Sequence, residues 1–172
     1  MSATYFVEHT LGSAPDRARA TMQAVESEFG FLPGPVALMS TSPELLLAFT
    51  RANALFGQTT LSPLAREVAI LTIVVHNDCH ICISMHASAL LRLGDTQHLA
   101  DALREQRQLP NPELEALRIF TLAVLANAGK VSDHDLQRFI DAGYTAKNAL
   151  EVVLGVGTYT LSTFANRMTT RT

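Results

Sequence analysis

The sequence predicts an all-α protein, a single domain of about seven or eight helices. Apolar residues recur at spacings of three and four along most of the 172-residue chain, the periodicity of helices with a buried face. Proline and glycine stand where these stretches begin and end. No segment shows the period-two alternation of a half-buried strand. Because the length is typical of one core and no Pro/Gly/Ser-rich linker interrupts it, we expect one domain over residues 1–172.

Helix boundaries follow from start and stop signals taken in chain order. Gly30 ends the first helix and precedes a predicted turn at 32–35. Pro43, Pro63 and Pro112 stand at first helical positions, where the missing N–H of proline costs no hydrogen bond. Thr145 caps the last helix. The predicted helices cover residues 16–29, 43–57, 63–76, 79–93, 96–108, 112–129, 133–142 and 146–168.

The segment 70–75 is the one stretch that could pass for a strand, because it is rich in Ile and Val. We assign it to a helix, since the helical signal begins at Pro63 and the chain offers no partner strand. A helix that is apolar on every side is expected to be buried on every side. Gly155 and Gly157, weak helix formers inside the last helix, predict close packing of backbones there.

Composition argues against nucleic acid as a partner and favours self-association. The net charge is −3 and no basic stripe is present to neutralise phosphates. Charged residues make up 17% of the chain and apolar residues 48%, whereas an average domain is roughly 25% charged. We therefore expect part of the apolar surface to be buried between subunits. A monomer with an unusually apolar core is the alternative.

Neither a membrane segment nor an export signal is expected. The longest apolar run, 68–75, is far too short to span a bilayer. The first residues lack the basic and apolar regions of a signal peptide. A cytoplasmic location follows from these signals. In that reducing compartment, two cysteines three residues apart are more often redox-active or metal-binding than a structural disulfide.

Four candidate catalytic residues, Glu67, Cys79, Cys82 and His86, lie within 20 residues of one another. If the helix from residue 63 ends near 76 and Asn77 or Asp78 caps a returning helix, Glu67 and His86 stand at similar heights on the two helices. Cys82 and His86 are four apart and share one helical face. The hairpin would then gather a carboxylate, an imidazole and a thiol.

This grouping suits thiol chemistry. Only a thiolate attacks, and a free cysteine with a pKa of about 8.5 is largely protonated at neutral pH. A helix N-terminus and a neighbouring imidazole both lower that pKa. Glu67 would orient the imidazole of His86. The second cysteine would close a disulfide onto the oxidised first one.

A zinc site is the main alternative use of the two cysteines. It would need two further ligands, for which His76, His80 and His86 are candidates. We predict no bound metal, because thiolate-rich structural sites usually draw a second pair of ligands from elsewhere in the chain. The remaining histidines are expected on the surface: His9, His98 and His134.

The spacing Glu, eleven residues, Cys, two, Cys, three, His resembles the signature of the alkylhydroperoxidase D (AhpD)-like branch of the carboxymuconolactone decarboxylase superfamily. Here Glu67, Cys79, Cys82 and His86 carry it. The flanking stretches 61–63 and 86–94, and the upstream 32–33 and 42–44, are also similar to peroxidase-related members.

The resemblance implies an all-α AhpD-like bundle and a homo-oligomer, often a trimer or hexamer. It implies reduction of hydroperoxides by the cysteine pair, with Glu67 and His86 as a proton relay and no cofactor. A dithiol reductant, lipoyl-type or thioredoxin-like, would restore both thiols. The family assigns the attack on peroxide to the second cysteine, Cys82, whereas helix electrostatics favour Cys79 as the lower-pKa thiol. We follow the family for Cys82, because His86 lies one turn away.

The chain departs from the family pattern at one position. Some members have His immediately before the second cysteine, where this chain has Ile81, and its own histidine is His80. A one-residue shift turns a side chain about 100° around a helix. No role is therefore assigned to His80.

Other functions fit the same residues. A thiol–disulfide oxidoreductase or redox sensor would exchange the pair with a protein disulfide. A non-redox enzyme resembling the decarboxylases of the superfamily would not need the dithiol. A metal-binding or purely structural oligomeric module is the remaining alternative.

Overall fold

The computed structural model describes residues 5–94 and 96–170, which form nine α-helices and no strand. The all-α prediction is confirmed, although the number of helices exceeds the predicted seven or eight. The additional helix begins within the segment predicted as a turn, since Pro33 is its N-cap residue and Pro35 stands in its first turn, where the missing N–H of proline costs no hydrogen bond. In chain order the helices are α1 (Asp16–Phe29), α2 (Gly34–Met39), α3 (Pro43–Gly57), α4 (Pro63–His76), α5 (His80–Leu91), α6 (Gln97–Arg104), α7 (Pro112–Ala126), α8 (Asp133–Asp141) and α9 (Ala146–Thr169).

Helix α4 is the centre of the main core, as its apolar composition predicts. Every residue from 68 to 74 is buried, and α4 packs against α5, α6, α7 and α9. Burying one Leu, Ile or Val side chain is worth about 1.5–3 kcal/mol, so this helix is held from all sides. Any side chain near either end of α4 is therefore placed on a rigid support. None of the helices in the described part of the chain is long and apolar enough to cross a membrane.

The start of α4 is anchored to α9 through a buried carboxylate. Glu151 Oε1 accepts the backbone N–H of Thr60 at 2.9 Å, and its Oε2 accepts the Thr60 hydroxyl at 2.8 Å. These bonds, with the Asn148 amide, hold the pKa of Glu151 below its usual value against the opposing effect of burial. Ser62 then caps α4 by accepting the N–H of Ala65. The position of α4 against α9 is thus fixed just before Glu67, the first of the four candidate catalytic residues.

The turn between α4 and α5 differs from the prediction that Asn77 or Asp78 caps the returning helix. Cys79 itself is the N-cap residue of α5, which begins at His80. Asp78 has a left-handed backbone conformation, with φ of 53°, and this tightens the turn. The following helices are also shorter than predicted, because α5 ends at Leu91 and α6 at Arg104. The predicted break at 94–95 falls partly on Asp95, which lies outside the described residues.

The glycines of α9 have different surroundings, contrary to the prediction of close backbone packing at both. A Cβ atom on Gly155 would lie 2.8 Å from Cε2 of Phe56, so the close neighbour is an aromatic ring rather than a backbone. A Cβ atom on Gly157 would meet open space. Phe56 is fully buried and packs edge-on against Tyr159, with ring centroids 5.9 Å apart.

Replacing Gly155 by alanine is expected to destabilise the protein by about 1–2 kcal/mol. Overpacking costs about 1–3 kcal/mol, and the better helix propensity of alanine returns up to about 1 kcal/mol. Urea unfolding followed by circular dichroism measures the change. Gly157→Ala is the matched control and is expected to be neutral or stabilising. Equal effects of the two substitutions would contradict the steric explanation.

Candidate active site

Glu67 and His86 meet between α4 and α5, as the hairpin predicts. His86 Nδ1 lies 3.0 Å from Glu67 Oε2, and the two side chains are only 19% and 20% exposed. When Nδ1 carries the proton, it donates to the carboxylate, which fixes the ring orientation and leaves Nε2 as the second exchangeable site. The pair is therefore arranged to hold or transfer a proton.

Tyr159 of α9 encloses this pair from a third helix. Its ring stands edge-on to the His86 ring at a centroid distance of 5.2 Å and an angle of 89°. Its hydroxyl donates to Asn53 Oδ1 on α3 at 2.8 Å. Burial, and then the charge of Glu67, raise the pKa of Tyr159 above its usual value. The hydroxyl stays protonated, so Tyr159 restrains the imidazole without supplying a charge.

The two thiols form a buried pair at the first turn of α5. Cys79 and Cys82 are both free cysteines, 3% and 5% exposed. The thiol of Cys82 is the largest influence that lowers the pKa of Cys79, to about 6, with burial opposing it. The Cys82 backbone N–H, the Asn166 amide and the charge of Arg167 lower it further. Conversely, Cys79 and burial raise the pKa of Cys82 well above its usual range. These effects favour Cys79 over Cys82 as the thiol of the pair that ionises.

Helix α9 holds the turn that carries the cysteines. Asn77 Nδ2 donates to the Thr163 hydroxyl at 2.9 Å, and Arg167 Nη1 donates to the Asn77 carbonyl at 2.6 Å. Arg167 Nη2 also lies 3.5 Å from the carboxylate of Asp78. One turn of α9 therefore holds Asp78, the residue with the left-handed backbone that precedes Cys79.

One amide of α9 reaches the dithiol itself. Asn166 Nδ2 donates to Cys82 Sγ at 3.2 Å, and the Asn166 side chain is buried. Sequence reasoning missed this residue and the others of α9 that surround the site. The available signal was the spacing of polar side chains at three and four, which places them on one face of α9: Tyr159, Thr163, Asn166 and Arg167.

Comparison with known proteins agrees with this geometry. Residues 43–121, which include all four candidate catalytic residues, match the carboxymuconolactone decarboxylase family. A crystal structure described as an alkylhydroperoxidase AhpD core, an uncharacterized peroxidase-related protein from Ralstonia eutropha JMP134, superposes with a TM-score of 0.77 at 24% identity. The match covers 95% of this chain and 86% of that one. The family match covers residues 43–121, and the superposition shows that the chain has the AhpD-like fold.

Other solved structures share the AhpD-like fold at lower identity. A peroxidase-related protein from Silicibacter sp. TM1040 is 18% identical with a TM-score of 0.74, covering 98% of this chain and 90% of that one. The debrominase Bmp8, solved as a cysteine-to-alanine variant with 2,3,4-tribromopyrrole, is also 18% identical, with a TM-score of 0.76 and the same coverage. No curated protein matches the chain. The fold thus occurs in proteins with different names and reactions.

The other histidines of this AhpD-like chain lie outside the Glu67–His86 pair. His76 and His80 are exposed, and His80 Nε2 lies 4.0 Å from an Asp78 carboxylate oxygen. His98 and His134 are exposed as predicted, whereas His9 is half-buried. Within residues 5–94 and 96–170, no group of three or more His, Cys, Asp or Glu side chains is arranged to hold a metal ion.

A separate apolar groove of about 550 Å³ lies along α9. Leu45, Leu161, Phe164 and Met168 are among its lining residues, and none of the four candidate catalytic residues lines it. The groove and the dithiol therefore use different residues of α9.

The lowered pKa of Cys79 predicts the pH at which the dithiol ionises. With a pKa of about 6, about nine tenths of the pair is ionised at pH 7, against about one per cent for a thiol with a pKa near 9. Thiolate absorbance at 240 nm should rise with pH to a midpoint near 6, and alkylation by iodoacetamide should follow the same curve. Arg167→Gln should raise the midpoint. A wild-type midpoint near 9 would contradict the lowered pKa of Cys79.

Proposed function

We propose that this protein is a thiol-dependent hydroperoxide reductase, with Cys79 and Cys82 as its redox centre. The observation that supports it best is a buried pair of free thiols on the same hairpin as a hydrogen-bonded Glu67–His86 pair. A thiolate supplies the nucleophile, and the second thiol lies within reach to resolve it. The carboxylate–imidazole pair supplies the proton transfers.

The cycle consumes one hydroperoxide for each dithiol. The thiolate attacks the terminal oxygen of the hydroperoxide, the O–O bond breaks, and the sulfur becomes a sulfenic acid. The leaving alkoxide takes a proton from the Glu67–His86 pair and departs as the alcohol. The second cysteine then displaces hydroxide from the sulfenic sulfur, which forms the Cys79–Cys82 disulfide. The hydroxide takes the remaining thiol proton and leaves as water.

We propose Cys79 as the attacking sulfur, in place of the Cys82 that the family resemblance implies. Ionisation is favoured at Cys79, because its pKa is lowered by the Cys82 thiol and by the charge of Arg167 and because it is the N-cap of α5. Cys82 keeps its proton, because burial and the neighbouring thiolate both oppose its ionisation. It is then the resolving thiol, and His86 lies one turn further along α5.

The reductant that regenerates the dithiol is proposed to be a lipoyl-type or thioredoxin-like dithiol. Each cysteine is at most 5% exposed, which favours a slender donor such as a lipoyl arm over a broad protein surface. Such a donor also belongs to a reducing compartment, so we propose a cytoplasmic location. A donor dithiol would attack the Cys79–Cys82 disulfide and leave both thiols reduced and itself oxidised.

The exposed face of α9 supports the proposal of a homo-oligomer. Leu150, Val153, Leu161, Phe164 and Met168 are all exposed and follow one another at helical spacings along this helix. Their spacing is that of a seam along which a helix packs against another helix. Sedimentation equilibrium of the purified protein should therefore give a mass above 18.7 kDa, with a trimer or hexamer as the expected species. A purely monomeric protein would reject this part of the proposal.

The reductase proposal is tested by mixing pre-reduced protein with one equivalent of hydroperoxide. Peptide mapping should then show the Cys79–Cys82 disulfide, and stopped-flow measurements should show consumption of the hydroperoxide in step with its formation. Absence of cysteine oxidation would reject the proposal. Rapid exchange with a small disulfide but slow reaction with hydroperoxide would instead favour the thiol–disulfide oxidoreductase. Bromide release from a brominated pyrrole would favour the reaction named for Bmp8.

A further inference from the structure

Asn166 has a buried carbonyl oxygen with no hydrogen-bond partner in the protein. It is 4% exposed, and its Oδ1 is one of two such side-chain atoms among residues 5–94 and 96–170, the other being Tyr144 Oη. A buried polar atom without a partner is unfavourable, because it loses the hydrogen bonds that water would give it. This atom lies next to the dithiol, since the nitrogen of the same amide donates to Cys82 Sγ at 3.2 Å.

The orientation of this amide suits an ionised dithiol. The N–H group of Asn166 lowers the pKa of both Cys79 and Cys82, so it favours the thiolate form. The reverse orientation would direct a carbonyl oxygen at the sulfur and would disfavour that form. Oδ1 belongs to the same amide as Nδ2, so it lies close to Cys82 Sγ and has no hydrogen-bond partner in the protein. An acceptor at this position can take a hydrogen bond from a donor on the substrate.

We propose that Asn166 is a further catalytic residue, whose Nδ2 steadies the dithiol anion while its Oδ1 accepts the O–H of the bound hydroperoxide. This inference rests on the proposed reductase function. A hydroperoxide has a single O–H, on the terminal oxygen that the thiolate attacks. Holding that O–H directs the terminal oxygen at the sulfur and turns the leaving oxygen away from it.

The same hydrogen bond persists through the oxidation step. When the sulfur–oxygen bond forms and the O–O bond breaks, the O–H becomes the O–H of the sulfenic acid. Asn166 Oδ1 then accepts from the sulfenic acid, while the alkoxide takes its proton from the Glu67–His86 pair. The acceptor gains its partner during the reaction and loses it when the disulfide forms and water leaves.

The test separates peroxide positioning from thiolate stabilisation. Wild type and Asn166→Leu are reduced, and each is assayed two pH units above its own thiolate midpoint, where the pair is fully ionised. The rate constants for tert-butyl hydroperoxide and for iodoacetamide, which needs a thiolate but no acceptor, are then compared. We expect Asn166→Leu to lower the peroxide rate constant on the order of 10- to 100-fold. The iodoacetamide rate constant should change less than about threefold.

Ser162→Ala is the matched control, because Ser162 is buried one turn earlier on α9 and its hydroxyl bonds only to its own helix, at the Tyr159 carbonyl. It should leave both rate constants unchanged. If Asn166→Leu fails to fold by circular dichroism, Asn166→Ser replaces it with the same expectation. Equal slowing of both reactions would overturn the inference, since Asn166 would then only stabilise the thiolate. Unchanged rates would also overturn it.

The two proposals fail in different ways. A wild-type protein that does not react with tert-butyl hydroperoxide would reject the reductase function and the inference with it. A reactive wild type with an equally reactive Asn166→Leu variant would reject the inference alone.

Discussion

Cys79→Ser is expected to abolish hydroperoxide consumption by the reduced protein, with a loss of at least about 10³-fold, because removal of a nucleophile leaves little residual catalysis. Serine nearly matches cysteine in size, so packing at the N-cap of α5 should be retained. The hydroxyl, however, does not ionise near neutral pH and cannot take the place of the thiolate. Stopped-flow kinetics with one equivalent of hydroperoxide measure the loss, and circular dichroism checks the fold.

Cys82→Ser is the informative partner of this variant. It retains Cys79, so one oxidation should still occur and should stop at the sulfenic acid, which dimedone traps as an adduct visible by mass spectrometry. No disulfide should form. The opposite pattern, an inert Cys82→Ser and a single turnover in Cys79→Ser, would return the attacking role to Cys82. It would also show that the resting location of the charge does not decide which sulfur reacts.

Glu67→Gln is expected to slow hydroperoxide reduction by about 10²- to 10³-fold, within the range of general acid–base catalysis. Glutamine keeps the shape of the side chain and can still accept from His86 Nδ1, which lies 3.0 Å from the carboxylate. It lacks the negative charge that stabilises a protonated imidazole, so the leaving alkoxide loses its proton source. Rate constants measured at a pH where the thiolate is fully formed separate this effect from any change in thiol ionisation.

Glu151→Gln supplies the matched control for Glu67→Gln. Glu151 is also a hydrogen-bonded glutamate with a largely buried side chain. Its partners, however, are Thr60, which precedes α4, and Asn148, which lies at the start of α9. Its replacement should lower the free energy of unfolding by about 1–3 kcal/mol and leave the peroxide rate constant nearly unchanged. Similar kinetic losses in both variants would indicate that Glu67 acts through stability rather than through proton transfer.

Much of the fold could be predicted because its signals are local. Helix starts at Pro43, Pro63 and Pro112 depend only on the backbone chemistry of proline, and each is where the structure begins a helix. The predicted turn at 32–35 is wrong at residues 34 and 35, since a six-residue helix with a proline at its N-cap and another in its first turn resembles a turn in sequence. The cap of α5 was also wrong: Asn and Asp are strong capping residues, but the chain turns at Asp78 and leaves Cys79 in the cap position.

What the sequence alone determined is the contact between Glu67 and His86. A hairpin of two adjacent helices places Glu67 opposite His86 whenever its arms are of similar length, so the spacing was sufficient. Tertiary structure decided the surroundings of each sulfur and which residues of α9 contact the dithiol. Asn166 lies 84 residues from Cys82 in the chain, and no spacing rule connects them. Hydrogen bonding and burial shift the pKa of each thiol, and both depend on which distant helix packs against the cysteines.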